Sequence, residues 1–148
     1  MIEGPKAGGH LGFSDEELAD IENIDYDEEI KDIIECTKEY GEKYNTHIPV
    51  IVAGGIFDHD DIIHALELGA DGVQIASRFV ATKECDASDE YKQAYLDAKE
   101  DDVKIIKSPV GMPGRAIRND FIKRVEKEKQ PVDKCYNCMK KCNPNEVP

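Results

Sequence analysis

His47-Ile48-Pro49-Val50-Ile51-Val52-Ala53-Gly54-Gly55 is a short apolar run, rich in β-branched residues and closed by two glycines. A run of this length with no polar alternation reads as a strand buried on both faces, as in a parallel sheet. Asp58 stands where a helix cap is needed. Ile62, Ile63, Ala65, Leu66 and Leu68 follow at helical spacing until Gly69 stops them. A second buried run, Gly72-Val73-Gln74-Ile75, comes next, with a short helix expected to begin near Ser77. Strand, helix, strand, helix with short connections calls for parallel strands joined by right-handed crossovers.

Upstream, Ile30, Ile33, Ile34 and Tyr40 recur at helical spacing, which predicts a helix from Glu28 to Tyr44 with Gly41 near its end. Ser14 followed three residues later by Glu17 has the form of a capping box opening another helix. The acidic residues 20–28 read as an exposed loop between the two. The Gly-rich run GPKAGGHLG near the start reads as a loop, with no strand recognisable before it. Downstream, Tyr91, Ala94, Tyr95 and Ala98 mark an amphipathic helix over residues 87–100. SPVGMPGR then reads as a Gly/Pro loop leading into a basic helix from Ala116 to Lys129. The last stretch, KCYNCMKKCNPNEVP, is irregular and Cys-rich. Two strands cannot make a sheet, so others must come from a longer chain, a partner or segments without a clear strand pattern.

The 148 residues suffice for one ordinary domain with a hydrophobic core. Lys and Arg number 19 against 32 Asp and Glu, a net charge of −13, which disfavours phosphate backbones and anionic lipid as partners. That balance leaves room for one phosphate held locally by backbone N–H groups. No stretch approaches the roughly 18 to 20 apolar residues of a membrane span, and the N-terminus lacks the pattern of a signal peptide. Five cysteines, three of them clustered near the end, do not form a secreted disulfide framework. A cytoplasmic location is therefore expected.

Three constellations carry chemistry. The first is the pair of turns at Gly54-Gly55 and Ala76-Ser77, each at the end of a buried strand and about 20 residues apart. Glycine lets backbone N–H groups approach a ligand closely, and a helix start offers unpaired N–H groups to an anion. Two such turns on successive strands match the usual barrel phosphate site. The second is His10 within GGHLG. Imidazole exchanges protons near neutral pH, which suits acid–base work. The third is Cys135-x2-Cys138-x3-Cys142, whose spacing could meet on zinc or an iron–sulfur cluster only if a fourth ligand were supplied. A reduced tail is the plainer reading, and no metal ligand is assigned. His59 and His64 read as surface residues, and His47 lies at the start of its strand, the stability face of a barrel. Interleaved Asp120, Glu126 and Glu128 make the basic helix a solvated face.

IPVIVAGGI together with ALELGADGVQIASRFVATKEC resembles the C-terminal barrel segment of the nitronate monooxygenases, also called 2-nitropropane dioxygenases. It is similar as well to their sister group, the flavin-dependent enoyl-acyl-carrier-protein reductases. EGPKAGGHLGF resembles the family's catalytic loop, and SPVGMPGRAIRN the stretch after the last barrel strand. The resemblance implies a TIM barrel, a (β/α)8 fold, holding FMN without a covalent bond. Gly8 and Gly9 would line the isoalloxazine side, while Gly54, Gly55, Ala76 and Ser77 would grip the phosphate. His10 would be the catalytic residue, removing an acidic proton beside a nitro group or stabilising an anionic nitronate. Family members often carry Gly-Thr where this chain has Ala76-Ser77, a change that a backbone contact tolerates.

The expected architecture is thus α/β, a partial TIM barrel over residues 1–82, a helical extension packing on it over 83–130, and the Cys-rich tail at 131–148. A complete barrel needs about 200 residues or more, so the chain reads as a fragment whose open sheet edges favour a homo-oligomer. A small-molecule substrate is expected, a nitronate oxidised with dioxygen. The alternatives are an NAD(P)H-dependent reduction of an enoyl thioester and a non-catalytic barrel fragment with a metal-binding tail.

Overall fold

Parallel pairing of the glycine-ended run with strands on both sides builds the first of two sheets. A computed structural model describes residues 1–108 and 112–128. The chain divides into two units, one of Met1–Ala7 with Phe13–Asp97, the other of Gly8–Gly12 with the residues from Ala98 onward.

In the first unit the strands are β1 (Ile2–Glu3), β3 (Ile51–Ala53) and β4 (Gly72–Gln74), in the order β1-β3-β4. All pairs are parallel, with Val52 opposite Ile2 on one side and Val73 on the other. Five helices belong to this unit: α1 (Asp15–Ala19), α2 (Tyr26–Tyr44), α3 (His59–Glu67), α4 (Ser77–Val80) and α5 (Asp89–Asp97). The unit therefore contains two successive strand–helix–strand units sharing the central strand β3. The sequence reading missed β1, because two residues carry no periodicity from which a strand could be recognised. Strand β2 (Gly9–His10) and the hairpin strands of the other unit are described below.

Local chemistry sets the helix ends. Ser14 and Glu17 close the capping box of α1, with Glu17 N–H donating to Ser14 Oγ at 3.2 Å and Ser14 N–H to Glu17 Oε2 at 2.7 Å. Asp58 caps α3 in the same reciprocal way with Asp61. Asp25 accepts from Glu28 N–H at the start of α2, which begins two residues before the expected Glu28. The acidic stretch before it is not wholly irregular, since Ile21–Asn23 forms a 3-10 turn. Helix α2 ends at Asn45, whose left-handed backbone (φ 48°) suits a short polar side chain.

The core lies between the sheet and the helices. Ile30 and Ile34 of α2 meet Val50 and Val52 around β3 and Ala65 and Ala70 around α3, all buried, with Ile2, Tyr26, Leu68 and Val73 at the margin. Burying an isoleucine side chain contributes about 1.5–3 kcal/mol. The sheet's starting edge is tied by a reciprocal pair: Val50 N–H donates to Asp71 Oδ2 at 2.7 Å, and Asp71 N–H to the Val50 carbonyl at 2.8 Å.

The second unit is antiparallel. Strand β5 (Val103–Lys107) and β6 (Pro113–Ile117) form a hairpin, and β2 adds to its free side, giving the order β2-β6-β5. Helix α6 (Asp120–Lys127) follows, with Asn119 Oδ1 accepting from Ile122 N–H at 3.0 Å. Three expectations are corrected here. Residues 83–130 are not helical throughout, because Ala116 and Ile117 belong to a strand and the helix starts only after the Asn119 cap. The stretch PGRAI opens with Pro and Gly, which read as a loop, yet proline is tolerated as the first residue of a strand. GGHLG is likewise more than a loop: Gly9 and His10 pair with Arg115 and Gly114. The Cys-rich tail at 131–148 lies outside the described residues.

Candidate functional site

The ends of β3 and β4 lie side by side, because Ala53 is in register with Gln74. Beyond Ala53 the chain turns through Gly54 and Gly55, both at positive φ (85° and 89°). Side chains rarely adopt that region. A Cβ on Gly54 would also come within 3.0 Å of the Gly4 nitrogen and oxygen and of Ala7 Cβ. Among the described residues, neither the Gly54 nor the Gly55 N–H donates to a turn or cap. Beyond Gln74, Ala76 caps α4 with φ −120° and makes no side-chain cap bond, and Ala76 and Ser77 are both exposed. Helix α4 has only four residues. Its macrodipole is slight, so individual N–H groups rather than a long helix's field are what the turn offers an anion.

Two cations stand at these turns in a chain of strongly negative charge. A Cβ on Gly55 would sit 3.1 Å from Lys6 Cβ, so the Lys6 stem lies against that turn. Arg78 of α4 donates from Nη1 to the Phe57 carbonyl at 3.3 Å, and its guanidinium carbon stands 4.5 Å from the centre of the Phe57 ring. Arg78 thereby fastens the turn after β4 to the loop after β3. The nearby Asp61 carboxyl is held below the usual range chiefly by the N–H groups of Phe57 and then Asp58, with a smaller contribution from Lys6. Below them, the Tyr26 ring fills the space beside Gly4, and burial, followed by Glu29 and Glu3, pushes its phenol up to about 12.

In the second unit His10 is exposed, and its Nε2 lies 2.6 Å from Ser108 Oγ. Ser108 is only 4% exposed. The sequence reading included Ser108 only as the first letter of a Gly/Pro loop. A small polar residue ending a strand is the one local signal that could have drawn attention to it. Gly9 adopts φ 80°, and both Gly8 and Gly9 are exposed with open space where a Cβ would be. Arg115, opposite Gly9, is partly buried, and that burial lowers its pKa from the ordinary arginine value.

The remaining histidines are at the surface. His47 Nε2 meets Asp71 Oδ1 at 2.8 Å, His64 Nε2 meets Asp27 Oδ2 at 2.8 Å, and His59 lies 3.4 Å from Asp60. A cleft of about 570 Å³ opens in the first unit, lined by Gly41, Asn45, His47, Val50 and Asp71 among others. It lies at the starting edge of β3 and β4, opposite the glycine turns, so its size does not make it the candidate site. Among the described residues no group of three or more potential ligands could hold a metal, and Cys36 and Cys85 are free thiols. No helix among them is long and apolar enough to cross a membrane.

The parallel βα succession and its paired turns are those of an α/β protein with the strand-end layout used by ligand-binding barrels. The chain belongs to the nitronate monooxygenase family, whose model matches residues 1–144. It is 31% identical over 125 residues to a probable nitronate monooxygenase of Staphylococcus saprophyticus, a match covering 84% of this chain and 33% of that protein. A probable nitronate monooxygenase of Staphylococcus aureus is 31% identical over 128 residues, with the same coverage. Among solved structures, FabK from Thermotoga maritima superposes with a TM-score of 0.59 at 29% identity, over 84% of this chain and 34% of that one. Nitroalkane oxidase from Streptomyces ansochromogenes gives 0.58 at 28% identity, over 83% and 33%. The chain thus spans about a third of the length of these relatives.

Proposed function

We propose that this chain carries C-terminal strands of a flavin-binding (β/α)8 barrel and serves an FMN-dependent oxidation of nitronates by dioxygen. The observation that carries the reading is the pair of consecutive positive-φ glycines following β3, whose last residue Ala53 is in register with Gln74 just before the small-residue turn after β4. The cradle fits a phosphate on three counts. Positive φ at Gly54 and Gly55 turns the chain sharply at the strand end, their N–H groups donate to no turn or cap among the described residues, and Lys6 and Arg78 supply positive charge beside them. Gly54, Gly55, Ala76 and Ser77 would hold the FMN phosphate, and Gly8 and Gly9 would lie along the isoalloxazine. Bound flavin supplies two-electron acceptance and reaction with dioxygen. His10 is read as the group that takes a proton from the carbon beside a nitro group, or steadies the negative charge of a nitronate.

Likeness to FabK supports a second reading, the reduction of an enoyl thioester with NAD(P)H as electron source, in which His10 would face the thioester carbonyl. One set of measurements separates the readings. FMN and riboflavin are titrated against the chain by flavin fluorescence, and the FMN-loaded protein is then mixed with propionate 3-nitronate in air or with NADH. Tighter binding of FMN than of riboflavin and oxygen uptake with the nitronate are the expected results. Rapid bleaching by NADH without nitronate turnover would favour the reductase. Equal binding of riboflavin would remove the phosphate grip. A homo-oligomer belongs to the same proposal, since the outer edges of β1 and β4 have no further strand among the described residues. A monomer in sedimentation would count against that part.

A further inference from the structure

His10 sits on β2 directly opposite Gly114 of the central strand β6, and Gly114 in turn sits opposite Ile106 of β5. Residues directly opposite across an antiparallel sheet share a face, and positions two apart along a strand share it too. Ser108 is two residues beyond Ile106, in chain that continues the hairpin through its N–H bond to the Met112 carbonyl at 3.1 Å. His10, Gly114, Ile106 and Ser108 therefore belong to one face. On that face the residue directly opposite His10 is a glycine, where an added Cβ would meet Gly9 and Ile106. The sheet brings Nε2 and Oγ to 2.6 Å across 98 residues of sequence.

We propose that Ser108 is the positioning residue for His10: it engages Nε2 and leaves Nδ1 as the nitrogen that exchanges a proton with substrate. This rests on the reading of His10 given under Proposed function. Ser108 is 4% exposed, so the hydroxyl that meets Nε2 belongs to a buried residue just beyond a paired strand, a fixed point against which the ring can rest. To act as a base, neutral imidazole needs its lone pair on the free nitrogen. The working tautomer therefore carries its hydrogen on Nε2 and donates it to Ser108 Oγ. With a neutral nitro compound as substrate, the C–H bond beside the nitro group breaks, its proton forms the new Nδ1–H bond, and the electron pair stays on the substrate as the nitronate. Imidazolium still donates from Nε2 to the same oxygen. Ser108 thus serves both protonation states, and the ring has no need to turn between them.

Long-range proton–nitrogen correlation spectra of the nitrogen-15-labelled chain test this without flavin or substrate, with His10 assigned by its loss in His10→Gln. The expected result is a neutral His10 protonated at Nε2 and bare at Nδ1. Its ring N–H should exchange with solvent roughly tenfold more slowly than in Ser108→Ala, the factor of an ordinary net hydrogen bond. Ser108→Thr, which keeps the hydroxyl, should restore the slow exchange. A wild-type His10 protonated at Nδ1 overturns the assignment and needs no variant to be seen. Ring exchange unchanged in Ser108→Ala, with the β5–β6 amide signals in place, overturns it as well. The slow Nε2–H signal in an FMN-loaded chain that oxidises the neutral nitro compound no faster than His10→Gln does would instead count against the function of His10 while leaving its contact with Ser108 standing.

Discussion

Replacing Gly54 by alanine tests whether the turn after β3 is built as described, with Gly69→Ala as its internal reference. Both glycines lie in the same unit and both have positive φ, 85° at Gly54 and 105° at Gly69. Each substitution therefore carries left-handed strain of about 1–2 kcal/mol. The reduced freedom of the unfolded alanine chain offsets that by about 0.4–1 kcal/mol. The surroundings differ. At Gly69 the new Cβ would meet only the Ile34 side chain, at 3.6 and 3.8 Å, which is ordinary packing. At Gly54 it would meet the Gly4 nitrogen and oxygen and Ala7 Cβ, each at 3.0 Å. Two of those are main-chain atoms beside the paired strand β1 and cannot swing away. Overpacking of this kind adds about 1–3 kcal/mol. Gly69→Ala should thus cost about 1 kcal/mol and Gly54→Ala about 2–4 kcal/mol. Urea unfolding followed by far-ultraviolet circular dichroism resolves the difference, since slopes of about 1–3 kcal/mol per molar turn it into a midpoint shift of roughly 1 M. If Gly54→Ala is no more destabilising than Gly69→Ala, the close approach of β1 to this turn is wrong, and with it the crowded cradle.

The core and the start of the sheet give two further outcomes. Ile30, 2% exposed in the centre of the core, should lose about 2–5 kcal/mol on replacement by alanine, while Ile33 on the same helix, 39% exposed, should lose far less; equal losses in urea melts would misplace the buried face of α2. Asp71 is held below the usual carboxylate range first by the Val50 N–H and then by His47, so its folded pKa lies below its unfolded one. Its contribution to stability is therefore present above pH of about 4 and disappears as the pH falls through the lower folded value. Asp71→Asn should flatten the acid limb of stability measured against pH, and an unchanged limb would remove Asp71 from that role.

Which parts of the fold were legible in advance depended on how many residues each element had in which to show a pattern. Helix α2 offers nineteen residues and α3 nine with a capping aspartate, and both were placed within two residues of their ends. The runs ending in Gly54 and Gly72-Val73-Gln74 were recognisable because a strand buried on both faces is apolar throughout. Strand β1 has two residues, and its assignment to the sheet is made by the Ile2–Val52 register, which no local window contains. The hairpin was hidden differently. Lys104 and Lys107 interrupt β5, and Pro113-Gly114 opens β6 with the two residues that most often signal a turn. Their pairing is nonlocal, and tertiary context overrode the local preference.

The candidate site divides along the same line. The Gly54-Gly55 and Ala76-Ser77 turns are each tied to a strand that the sequence displays, so the place of the turns follows from strand-end physics with little help from resemblance. His10 is a histidine in a glycine-rich stretch, and the role proposed for it rests mainly on family likeness. The structure supplies the partner that reasoning along the chain could not reach: Ser108 is 98 residues away, and the two meet because β2 joins the β5–β6 hairpin. A Cβ at 114 would come within 3.4 Å of the Gly9 carbonyl oxygen and 3.7 Å of Ile106, so this crossing of β2 and β6 is closely packed. The sequence separation of the pair, not the chemistry of either residue, is what keeps the contact out of any local pattern.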